Sequence, residues 1–108
     1  MESILTSMKK LLGMDEENHQ FDVDVMIHIN SIFVILKQLG AGPEDGFIIT
    51  NEFASWSDFT QDNIQLEQVK TFMYLKLKLI FDPPINSAAI EAIKEQIKEY
   101  EWRITNPV

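Results

Sequence analysis

Between "MYLKLKLIF" and "INSAAIEAI", spanning Met73 to Ile93, the chain runs through Asp82-Pro83-Pro84, and this break constrains the fold more than any other feature. Neither proline can donate a backbone hydrogen bond, and Pro83 drives Asp82 out of the α region. The segments on either side are therefore separate elements meeting at a set angle, and the break is a corner rather than a flexible joint. Upstream, Leu75 to Leu79 alternates like a strand. Length decides against that reading, because no breaker occurs between Ile64 and Phe81 and strands usually run to about 5–6 residues. A helix over 63–81 follows, opened by Asp62 with Gln65 three residues later in a capping-box pattern. Leu66, Val69, Met73, Leu77 and Ile80 form one face, and Phe72, Leu75 and Leu79 widen it, as in a helix buried on more than one side. Downstream, Asn86 or Ser87 caps a helix whose Ile90, Ile93, Ile97, Tyr100 and Ile104 make a narrow seam. Glu99 and Arg103 can pair on its flank.

The N-terminal half reads in the same way. Ile4, Leu5, Met8, Leu11 and Leu12 recur at helical spacing, and Gly13 stands where a left-handed cap belongs. After the acidic linker Asp15-Glu16-Glu17, a second helix begins near Asp22, whose carboxylate can cap it, and stops at Gly40. It carries Val25, Ile29, Ile32, Phe33 and Leu36. Three of the four glycines lie in or beside "GAGPEDG". "FIIT" and "FASW" flank Asn51-Glu52, which predicts a short hairpin across 47–57. With 108 residues the chain suits one domain, 1–108, with one modest core. The expected fold is mainly α: a bundle of about four helices with a short β-hairpin or loop insertion between the second and third.

Charge narrows the possible partners. The net charge is −8, which disfavours phosphate contacts and anionic membrane surfaces, both of which need clustered Lys and Arg. Cysteine is absent, so disulfides and thiolate metal sites are excluded. The N-terminus lacks the basic-then-apolar layout of a secretory signal. Lys70, Lys76 and Lys78 interrupt the best candidate for the roughly 18 apolar residues of a membrane span. The expectation is a protein made in the cytoplasm and not embedded in a membrane.

Little in the chain suggests chemistry. Asp24 and His28 share a helix face, but a zinc site needs three or four ligands and no third is evident. "GAGPEDG" carries Glu44 and Asp45 and no lysine, the reverse of a phosphate cradle. No nucleophile motif is present, and the paired acids fall in loops without an apolar pocket to raise a pKa. No catalytic, cofactor-binding or metal residue is assigned, and the chain is not expected to be an enzyme. The tryptophans carry more information. Trp56 is either a core plug or an interface residue. Trp102 falls opposite the isoleucine seam, either folded back at a helix end or anchoring a partner.

"VKTFMYLKLKLIFDPP" followed by "AIEAIKEQIKEYEWRI" resembles the tailed-bacteriophage head–tail connector proteins, the small head-completion adaptors beneath the portal. The similarity runs from "LLGM" through "INSIFVILKQLGAGPEDGF" to "EWRI". It implies a structural virion protein that forms a homo-oligomeric ring of about a dozen copies. That ring would extend the DNA channel and dock the tail or the next adaptor. The implied partners are the portal protein, neighbouring copies and a downstream adaptor or tail-completion protein, with DNA passing through unbound. The implied location is the virion's head–tail interface, after assembly in the host cytoplasm. The resemblance also implies that the C-terminal tail, about 102–108, contributes to portal attachment, which points to Trp102, Arg103 and Ile104. Trp56, Phe72, Leu75 and Leu79 complete the candidate interface residues. Two rival readings are an acidic DNA mimic and a small helical regulator of a host protein. The mimic is weakened by Lys94, Lys98 and Arg103, which interrupt the acids of the last helix.

Overall fold

Each helix begins or ends where a short polar side chain or a glycine satisfies the backbone. A computed structural model describes residues 2–106, so Pro107 and Val108 of the expected tail lie outside the described residues. Among the described residues it has five helices: α1 (Ile4–Leu11), α2 (Asp22–Gln38), α3 (Trp56–Phe59), α4 (Asn63–Phe81) and α5 (Ser87–Thr105). Ser3 caps α1 by accepting from Thr6 N at 3.2 Å, and Gly13 follows at φ +76°. Asp62 accepts from Ile64 N and Gln65 N at 3.0 and 3.1 Å, starting α4 where the sequence predicts. Asp82 stands at the C-cap of α4 and Asn86 caps α5, accepting from Ala88 N at 2.7 Å.

Two expectations are corrected. No strand occurs among the described residues, and the hairpin expected at 47–57 does not form. Several backbone groups of its two would-be strands bond elsewhere. Asn30 of α2 accepts from Ile49 N at 2.8 Å and donates to Ile49 O at 2.9 Å, mimicking a strand partner with a side chain. Ala54 O accepts from Ile4 N at 3.0 Å, and among the described residues the only pairing of β type is an isolated Ser3–Ser55 bridge. Asp58 accepts from Ser55 N at 2.9 Å, turning "SWSDF" into α3, a fifth helix where about four were expected. The second correction concerns Asp22. The N-cap of α2 is Phe21, without a side-chain cap, and Asp22 turns its carboxylate to Lys9 and His19 instead.

Helix α4 is the middle of the packing: α2 and α5 both lie along it, and α1 lies on α2. Its Leu66, Val69, Phe72, Met73, Leu75 and Leu77 are buried, whereas Ile80, expected on the same face, is half-exposed. From α5, Ile97 and Ile104 are buried and Ile93 and Tyr100 partly so, as the seam predicts, whereas Ile90 at its start is only partly covered and lies outside the core cluster. The long loop closes over α2 through an aromatic cluster in which Phe33 meets Phe47 and Phe59 at ring-centroid distances of 5.1 and 5.0 Å.

Because α4 and α5 pack side by side, Pro83 and Pro84 stiffen a reversal that the packing already favours. Replacing both with alanine enlarges the conformational freedom of the unfolded chain. The expected loss is about 1–2 kcal/mol for the pair, read as a lower melting temperature with helical content retained.

Candidate assembly surfaces

The core absorbs most of the residues that the sequence offers as interface candidates. Trp56 is 0% exposed. Its Nε1–H donates to Ser7 Oγ at 2.8 Å, and Ser7 in turn donates to Ile4 O at 3.0 Å. Of the two readings for Trp56, the core plug is the one this conformation presents. Phe72 and Leu75 are also buried within the subunit, Leu79 is partly buried, and Ile104 faces inward. Most of the apolar breadth of α4 is covered within the subunit, with Ile64 and Ile80 at its ends left exposed.

Trp102 is different, at 64% exposed. It lines a cleft of about 510 Å³ between the start of α4 and the end of α5, together with Asp62, Ile64, Gln65, Glu99 and Arg103. Ile64, 77% exposed, forms the other apolar side. Arg103 is exposed and held by Glu99 at 2.7 Å, the pairing read from the sequence. An exposed tryptophan and an exposed isoleucine thus share one cleft, bordered by the exposed Glu99–Arg103 ion pair.

A second apolar surface escapes the sequence reading. Val23, Ile27 and Val34 of α2 are 65%, 56% and 54% exposed. At 100° per residue they fall within a narrow arc, opposite Val25, Ile29, Ile32 and Leu36 in the core. Helix α2 is therefore apolar on two faces, a pattern that shows in its sequence as high hydrophobicity with little amphipathic contrast. The Asn30–Ile49 hydrogen bonds hold the long loop against this helix, and the neighbouring Ile48 is exposed.

The start of α2 is fastened by an ionic cage that the sequence reading also misses. Lys9 is buried, and its Nζ donates to Asn18 O at 2.8 Å and Glu16 O at 3.2 Å. It also forms an ion pair with Asp22 Oδ1 at 2.8 Å. His19 Nδ1 reaches Asp22 Oδ2 at 2.8 Å. Burial pushes the Asp22 carboxyl up, but hydrogen bonds and charge from Lys9 and His19 outweigh it and hold the group below the usual carboxylate range. The other histidine, His28, packs edge-on against Phe81 at 5.3 Å. Among the described residues no group of three or more His, Asp or Glu could hold a metal ion. None of their helices is long and apolar enough to cross a membrane.

The described residues thus leave the α2 stripe and the Trp102–Ile64 cleft exposed around a buried core. A family model described as "Phage connector protein" matches residues 4–107. The chain belongs to the phage connector protein family. No curated protein and no solved structure matches it. The family is structural rather than catalytic, so this connector has a structural role in the phage particle, between head and tail components. The resemblance carried by "VKTFMYLKLKLIFDPP" and "AIEAIKEQIKEYEWRI" leads to the same family.

Proposed function

We propose that this connector assembles as a ring of about a dozen copies under the portal, at the head–tail interface of the virion. The ring extends the DNA channel and docks the tail or the next adaptor, and its subunits are made and assembled in the host cytoplasm. The carrying observation is the pair of exposed apolar surfaces, the α2 stripe and the Trp102–Ile64 cleft, on a subunit that needs neither for its own core. A closed ring requires two different patches on each copy, one for each neighbour. The charge of −8 also favours the reading, since an acidic lining repels phosphates and lets DNA pass without sticking. Three of the four acids on α5 are paired locally, Glu91 with Lys94 and Glu95 with Lys98 at 3.5 Å each and Glu99 with Arg103 at 2.7 Å. That pairing argues against the DNA-mimic reading, which needs an unbroken anionic stripe.

Trp102→Ala tests the proposal. Its ring is mostly in solvent, so the melt should change by under about 1 kcal/mol. Co-sedimentation with the portal protein should fall by a factor of about 30 or more, equivalent to about 2 kcal/mol per contact. Wild-type protein that stays monomeric with and without the portal would contradict the ring.

A further inference from the structure

We propose that the ring contact runs front to back, the α2 stripe of one copy seating in the Trp102–Ile64 cleft of the next. The proposal rests on the ring reading above and names its two faces and their occupant, a second copy of this chain. The stripe, Val23, Ile27 and Val34, points away from the core and hence from α4, whereas the cleft opens between α4 and α5. The two therefore lie on different sides of the subunit, as successive contacts around a ring require.

Charge selects this pairing over a face-to-face one. Residues 12–62, comprising the linker, α2, the long loop and α3, hold ten acids and one base, Lys37. The rest of the chain, comprising α1, α4 and α5, holds seven acids and eight bases. In space α1 belongs with the acidic side, since it lies on α2 and its Lys9 and Lys10 pair with Asp22 and Glu16. The long loop and α3 are bound to α2 through Asn30–Ile49 and the Phe33 cluster, and α4 and α5 are left with six acids and six bases. Two α2 faces brought together would join two strongly anionic halves within roughly a Debye length of about 8 Å, and like-charge juxtaposition is costly. Setting the α2 face on the α4–α5 side puts the anionic half of one copy against the near-neutral half of its neighbour. The repulsion falls, and the apolar stripe meets Ile64 and the Trp102 ring. Within the cleft Glu99 already holds Arg103, and Asp62 is engaged with the first N–H groups of α4.

The absence of cysteine makes the test clean. Ile27→Cys and Ile64→Cys both alter exposed side chains, so the folded subunit is retained. Full-length protein carrying both changes is assembled with the portal protein and treated with a short thiol-specific cross-linker. The expected result is a ladder of covalent dimers, trimers and higher species, because each copy links forward and backward, with no ladder from either single variant. Dimers from Ile27→Cys alone would overturn the proposal in favour of face-to-face pairing. A ladder from Ile27→Cys with Ile85→Cys, and none with Ile64→Cys, would overturn it by moving the contact to the opposite end of the α4–α5 pair. Rings of wild-type mass that yield no covalent product would overturn the named faces and leave the ring standing. Wild-type protein that never assembles would overturn both.

Discussion

Trp56→Ala loses about 3–5 kcal/mol of folding free energy, the range for a fully buried aromatic cut to a methyl group. A domain of this size has about 5–15 kcal/mol in total, so the variant sits near the edge of folding. At about 4 °C per kcal/mol, the melting temperature should fall by about 12–20 °C. The site explains the size. The Trp56 indole is sealed from solvent, bonded to Ser7 of α1 at 2.8 Å, and has the Lys70 ammonium of α4 over its ring at 5.6 Å. One side chain thus joins α1, α3 and α4, and its loss leaves a cavity between elements that share few other contacts. Trp56→Phe keeps most of the volume but loses the N–H and part of the fused ring, so it should cost about 1–2 kcal/mol. Fluorescence separates the two tryptophans. In Trp56→Phe the remaining emission comes from Trp102 and should be red-shifted and readily quenched by acrylamide. A blue-shifted, protected signal would place Trp102 inside and remove it from the proposed interface.

The contrast between these tryptophans shows what the chain discloses on its own. Asp62, Pro83 and Asn86 act on their nearest neighbours, and each marks the end of a helix that the structure reproduces. The seam of α5 was legible because only one of its faces is apolar. The hairpin expected at 47–57 does not form because the pattern of "FIIT" and "FASW" is local, while the groups that bond to this segment, Asn30 and Ile4, lie at least 19 positions away in sequence. The interface suffered in a similar way. Helix α4 has the broad apolar circumference, but its flanking helices cover most of it, leaving Ile64 and Ile80 at its ends. Helix α2 has a weaker pattern with a face left over. Hydrophobicity alone does not say how many neighbours a helix will have.

Lys9 is the extreme case, since a lysine next to Lys10 near an acidic run reads as solvated charge and is instead buried. Its ammonium joins α1 to the linker through Glu16 O and Asn18 O and to α2 through Asp22. Lys9→Met keeps much of the stem's packing but strands the Asp22 carboxylate and two carbonyls. Breaking a buried pair from one side costs about 3–5 kcal/mol. The Asp22 side chain keeps 15% exposure and its His19 partner, so about 3 kcal/mol is expected, a fall of about 12 °C in the melt. The loss should depend on pH in a definite direction. The Asp22 carboxyl sits below its ordinary value in the folded protein, so its contribution is complete above the unfolded value, near about 4, and fades as pH falls through the lower folded value. The gap between wild type and Lys9→Met should therefore be widest near neutrality and shrink below about pH 4. Asp22→Asn should remove the same pH-dependent part. Lys9→Met combined with Asp22→Asn should cost less than the two single changes added together, because the second change relieves the stranded charge left by the first. Since the cage fixes the first turn of α2, where the Val23–Ile27 stripe begins, Lys9→Met should also weaken assembly at temperatures where the subunit is still folded. A gap that stays constant from pH 7 to pH 3, measured by thermal melts across that range, would mean that the ion pair contributes nothing and that Lys9 acts through its stem alone.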